Sequence, residues 1–118
     1  MHDSLERRKY KRIEKPFKAR FRTIIAQRIV SADWGMVTVK NLSEGGMLFD
    51  YKKNLGINTH LDLKIDISKS TPLINCVGKI IRIDEHLNSS MFGIATSFTD
   101  ISKQGKEIIN KTANEIPR

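Results

Sequence analysis

The heptapeptide Leu61-Asp62-Leu63-Lys64-Ile65-Asp66-Ile67 alternates aliphatic and charged side chains without a break. A helix would scatter these side chains around its circumference. An extended strand collects the four aliphatics on one face and the three charges on the other. Such a strand belongs in a sheet with one face against a core and the other in water.

The same period of two recurs along the chain. Phe17, Ala19, Phe21, Thr23, Ile25 and Ile29 predict the inner face of one long strand, with Lys18, Arg20, Arg22 and Arg28 outside. Ser31 to Gly35 reads as a turn, and Met36 to Asn41 as the return strand, with Val37 and Val39 on one face. After Ser43-Glu44-Gly45-Gly46 the alternation resumes with Met47, Phe49 and Tyr51. Residues 52 to 59 form a loop around Gly56 and Asn58. Leu73 to Asp84 predicts a strand with Val77, Lys79, Ile81 and Ile83 on one face. Phe92, Ile94, Thr96 and Phe98 share a face of the last strand. The period then becomes helical through Ile101, Gly105, Ile108, Ile109, Thr112 and Ile116, with Asp100 or Ser102 as the cap. Gly105 inside this helix points to close packing. Six antiparallel strands on short turns, then one helix, predict a mainly β fold: a six-stranded antiparallel β-barrel with a C-terminal α-helix. Closure would remove the sheet's edges.

A chain of 118 residues has the length of one domain and can bury a core without staples. Its one cysteine, Cys76, excludes an intrachain disulfide and fits a reducing, cytoplasmic setting. No apolar run follows the N-terminal charges as in a secretory leader, and no window has the length of a membrane span. The net charge of +8 is unevenly placed. Residues 1 to 28 hold ten Lys and Arg against three Asp and Glu, and the remainder holds eleven against ten. A basic segment ahead of a near-neutral body predicts a local anion site rather than a broad field. We therefore divide the chain into a basic arm, 1–16, and a barrel with its helix, 17–116. Pro16 favours extended geometry at Lys15 and ends the arm.

Catalytic chemistry is not written into the sequence. His2, His60 and His86 are scattered, and no histidine, cysteine or carboxylate set has metal-ligand spacing. Cys76 falls mid-strand, where a small buried hydrophobe is expected rather than a nucleophile. Nucleophile elbows, P-loops and dinucleotide fingerprints are lacking. A protein without enzymatic activity, metal or cofactor is expected.

Two stretches carry the functional signal. In Arg7-Arg8-Lys9-Tyr10-Lys11-Arg12, Arg8 and Arg12 are four apart. Guanidinium groups pair two-pronged with phosphate oxygens or with guanine O6 and N7. In Asn41-Leu42-Ser43-Glu44-Gly45-Gly46, Asn41 can donate to and accept from a base edge, and Ser43 can meet a base or phosphate. The glycines predict a tight turn with positive φ and room for a close-lying ligand. Taken singly, the first stretch also suits a solvated arm and the second a plain hairpin.

Together, R-x-x-x-R followed some thirty residues later by D/N-x-S-x-x-G resembles the PilZ domain family. Gly78 to Ser102 resembles that family's late strand pair and its entry into the C-terminal helix. The resemblance implies a bacterial receptor for cyclic di-GMP, with the arginine arm folding over a ligand held on the barrel surface. By position it assigns ligand binding to Arg8 and Arg12, to Asn41 and Ser43, and to the turn glycines Gly45 and Gly46. Arg7 resembles members that take an intercalated ligand dimer. Signalling would pass through a downstream protein partner, from a monomer or a homodimer. Two other readings remain open: a PilZ-like interaction module without nucleotide, and a small nucleic-acid-binding barrel. Against the latter, Phe17, Phe21, Phe92 and Phe98 fall on core faces rather than on an outer stacking platform.

Overall fold

The computed structural model describes residues 12–13, 16–25, 28–29 and 34–115. Seven strands precede one helix: β1 Phe17–Ile25, β2 Arg28–Ile29, β3 Gly35–Ser43, β4 Gly46–Tyr51, β5 His60–Asp66, β6 Ile74–Glu85, β7 Phe92–Ile101 and α1 Lys103–Glu115. They form one antiparallel sheet in the order β2-β1-β3-β4-β7-β6-β5, and β5 pairs back onto β1. Six strands thus close the expected barrel, and the two-residue β2 folds back onto the end of β1. The closing seam runs from Lys18↔Asp66 to Ile24↔His60.

The alternation is realised from Leu61 to Asp66, and Ile67 follows the strand half-buried. Leu61, Leu63 and Ile65 are completely buried between Asp62, Lys64 and Asp66. Phe49, Val39, Ile80 and Ile94 meet them in the interior. Side chains of the described residues therefore fill the barrel interior.

Three local readings are overturned. The strand predicted over Phe17 to Ile29 breaks after Ile25, which is 62% exposed. β1 leaves β3 at Phe21↔Gly35 and β5 at Ile24↔His60, so Ile25 projects beyond both neighbours. In β6 the inner face is the opposite one: Ile74, Cys76, Gly78 and Ile80 are buried, while Lys79 points outward and Ile81 is 56% exposed. The register shifts between Ile80 and Arg82, and this bulge returns Ile83 to the core side. At the β3–β4 turn, Gly45 and Gly46 do not take the positive φ expected of them; among the described glycines Gly56 does, at 91°.

The helix is capped by Ser102, whose Oγ accepts from Gly105 N at 2.9 Å. Gly105 packs as expected, because a Cβ there would lie 3.1 Å from both Ile74 and Ile101. Ile109 completes the helix's buried face, and Ile116 lies outside the described residues. Trp34 and Tyr51, whose environments the sequence leaves open, now separate. Tyr51 meets the Phe21 ring edge-on, whereas Trp34 lies outside beneath the Arg22 guanidinium.

Ile13 is a core residue that the sequence hides inside a basic segment. It is 1% exposed and forms an isolated bridge with Leu42, with N–O distances of 2.6 and 2.8 Å. Ile13→Ala is expected to cost about 2–5 kcal/mol, the usual range for emptying a buried aliphatic site. Urea denaturation would measure it; a change below about 0.5 kcal/mol would contradict this packing.

Candidate functional site

β3 begins by alternating, with Val37 and Val39 inward. Its register against β4 then shifts between Val39 and Asn41, so that Lys40 is the extra residue. Val39 and Leu42, three apart, are both fully buried as a result. The phase change puts Asn41 and Ser43 on the outer face of the barrel, at either side of Leu42. Leu42 is also the residue that pairs with Ile13. One backbone bridge therefore delivers Arg12 beside both motif residues.

The outcome is a shallow groove of about 320 Å³. Arg12, Asn41, Ser43, Gly45 and Gly46 line it together. Ala95 and Ser97 of β7 contribute further lining, as do Ile81 and Arg82 from the β6 bulge. Thus the structure assembles five of the seven sequence-predicted site residues. Arg7 and Arg8 lie outside the described residues. Sequence reasoning missed Ile81 and Arg82, since the row Val77, Lys79, Ile81 and Ile83 suggests the opposite inner face; Ile81 is outward because Ile80 is inward, and the bulge adds Arg82 to the same outer wall.

The turn at the groove's edge is held tightly. Ser43 Oγ accepts from Gly45 N at 3.3 Å, and Gly45 O accepts from Phe98 N at 3.0 Å. Thr96 beneath is buried and donates Oγ1 to Met47 O at 3.1 Å. Gly46 pairs with Ser97, and a Cβ at Gly46 would collide with the backbone carbonyl of Thr96. The barrel's own packing thus demands this glycine.

The groove's charge is one-sided. Arg12 and Arg82 line it, and no carboxylate does among the described residues. Arg82 Nε donates to Asp84 at 3.0 Å, an exposed pair that adds little stability. With an amide, a hydroxyl and two guanidinium groups, the groove can hold an anion that also carries hydrogen-bonding edges. Among the described residues, no three His, Cys, Asp or Glu side chains are grouped to hold a metal. Cys76 lies elsewhere, in the core, and burial followed by the charges of Asp62 and Asp100 pushes its thiol up to about 12.

The described residues thus form a closed antiparallel barrel with a groove at a hairpin turn, lined in part by guanidinium groups. The family model of the PilZ domain matches residues 6–113. The chain belongs to the PilZ domain family. No curated protein sequence matches it. Among solved structures, it is similar to the Bacillus subtilis inhibitor of motility, MotI/DgrA, with a TM-score of 0.74 at 15% identity, over 91% of this chain and 49% of that one. The chain thus spans about half the length of MotI. It is also similar to the PilZ domain of YcgR from Escherichia coli, solved with cyclic di-GMP, with a TM-score of 0.64 at 14% identity, over 92% and 89% of the two chains. At these identities the structural likeness is one of fold.

Two measurements test the local chemistry. Gly46→Ala is expected to lose about 1–3 kcal/mol of stability with no ligand present, the usual cost of overpacking. A neutral result in thermal denaturation would show that Thr96 has room. Cys76 in the native protein should resist iodoacetamide at pH 8 and react after unfolding, since only the thiolate attacks. Rapid native alkylation would contradict both its burial and its raised pKa.

Proposed function

We propose that this protein is a non-enzymatic receptor for cyclic di-GMP that signals through a protein partner. The observation that carries the reading is the meeting of Arg12 with Asn41, Ser43, Gly45 and Gly46 in one groove that no carboxylate lines among the described residues. Family membership and the cyclic di-GMP solved with the YcgR domain support it. The ligand presents two phosphates and two guanines, a match for bidentate guanidinium and amide donors.

In this reading Arg8 and Arg12 take guanine edges and phosphates from above. Asn41 and Ser43 hold a guanine from the barrel side, and the Gly45–Gly46 backbone lies close beneath. Arg7 favours a stacked ligand pair. The segment before Ile13 closes over the ligand, with the Ile13–Leu42 bridge as its fixed root. Its closure changes the surface offered to the partner. The receptor acts as a monomer or homodimer in the cytoplasm and needs neither metal nor cofactor.

Calorimetry with cyclic di-GMP near physiological salt tests the proposal. Micromolar or tighter binding is expected, with GTP inert. Arg8→Ala or Arg12→Ala should each weaken binding by roughly 5- to 150-fold, since a bidentate arginine contact is worth about 1–3 kcal/mol. A ligand-to-chain ratio near two would support the role given to Arg7. Absence of heat and of any thermal shift with the wild type would overturn the reading. Steep salt dependence with oligonucleotides, together with indifference to the dinucleotide, would favour a nucleic-acid barrel instead.

A further inference from the structure

A second and larger groove, about 630 Å³, adjoins the first along β3 and β4. Met36, Tyr51 and Met91 supply its apolar surface, and Met36 is 57% exposed. Methionine side chains adapt to varied partners and are over-used at promiscuous binding surfaces. Around them basic side chains outnumber acidic ones, with Asp66 opposite Lys18 in the β1–β5 register. Lys40 and Lys52 line the groove. Lys18 donates Nζ to Thr38, a lining residue, at 2.9 Å, and Arg20 is opposite Met36 in the β1–β3 register.

Among the described residues, Asp50 is the single carboxylate of the lining, and it is already engaged. Lys40 Nζ lies 2.9 Å from one of its oxygens and His86 Nε2 lies 3.0 Å from the other. Burial raises the Asp50 pKa, but these two partners outweigh it and hold the carboxyl below its ordinary value. An incoming cation thus meets lysines and an occupied carboxylate, whereas an incoming carboxylate meets Arg20, Lys18 and Lys52. The described residues leave this apolar floor uncovered.

We propose that this groove docks an acidic peptide segment of another protein, with apolar side chains on Met36, Tyr51 and Met91 and carboxylates on Arg20, Lys18 and Lys52. This deepens the receptor reading, by giving its partner a chemistry and a place, and rests on it in that respect. The two grooves approach each other at the β3 bulge, where their linings include consecutive residues. Lys40 faces the second groove and the adjacent Asn41 faces the first.

The four methionines make the test direct. The full chain, labelled with 13C-methyl methionine, reports on Met36 and Met91 in the groove and on Met47 in the core. A displayed library of random 12-residue peptides is panned on the wild type, with Met36→Glu/Lys52→Glu as counter-selection. The expected peptides carry more Asp and Glu than Lys and Arg, beside aliphatic or aromatic residues. They should shift the Met36 and Met91 methyls while Met47 stays in place, and bind the double variant at least tenfold more weakly. Unchanged Met47 signals in that variant establish that it is folded. The proposal fails if no peptide is enriched, if the enriched peptides are basic or neutral, or if they shift other sites. It also fails if anionic phosphatidylserine vesicles, a 20-nucleotide DNA or self-association moves the two groove methyls at lower concentration than any peptide. Calorimetry with cyclic di-GMP on the same samples keeps the readings apart: peptide docking without dinucleotide binding sinks the receptor, and the converse sinks the groove.

Discussion

Pairing of β1 with β5 is the constraint on which the other features rest. Seven residue pairs, from Lys18↔Asp66 to Ile24↔His60, turn an open antiparallel sheet into a closed one. Closure satisfies backbone groups that would otherwise sit on two exposed edges. It also confines the inward side chains to a space they fill themselves, as the buried Leu61, Leu63, Ile65, Phe49 and Ile94 do. With the interior occupied by these side chains, the two grooves described above lie on the outer face of the barrel. There, side chains on neighbouring strands can be grouped only by the register of the sheet and by its irregularities.

The irregularities do most of the grouping. An extra residue at Lys40 rotates Asn41 and Ser43 outward, and an extra residue at Ile81, itself already outward after buried Ile80, turns Arg82 outward across the same groove. Both bulges resolve a conflict between a continuous core and a strand that must also serve the surface. The interior keeps Val39 and Leu42, and likewise Ile80 and Ile83, by accepting one unpaired position in each strand. Arg12 arrives by a different route, because the short bridge between Ile13 and Leu42 lays the chain against β3.

The parts legible in the sequence are those where period and environment agree. Leu61 to Ile67 has no bulge and no ambiguity, and β5 emerges where the alternation places it. The helix is equally plain, because Gly105 and Ile109 fall on one stripe and Ser102 stands ready to cap. β6 was read with the wrong face inward, because Val77, Ile81 and Ile83 make an attractive apolar row. Small inward residues such as Cys76 and Gly78 carry almost no pattern, and one extra residue puts Ile83 back in phase. Ile13 was invisible for a related reason: a single aliphatic between arginine and glutamate has no period, and its burial comes from a bridge to a distant strand. The candidate site was legible through its motifs, whereas Ile81 and Arg82 depend on register, which no spacing along the chain encodes.

Gly46 bears on how relatives of this chain should be read. Its missing side chain makes room for the Thr96 carbonyl, a contact between two strands that exists whether or not anything sits in the groove. Descendants that lost every ligand would still be held to glycine here by selection for folding. Retention of that glycine therefore certifies the architecture and is silent about any ligand. Arg12, Asn41 and Ser43 face the groove and are not constrained by the interior in this way, so divergence there would leave the barrel intact.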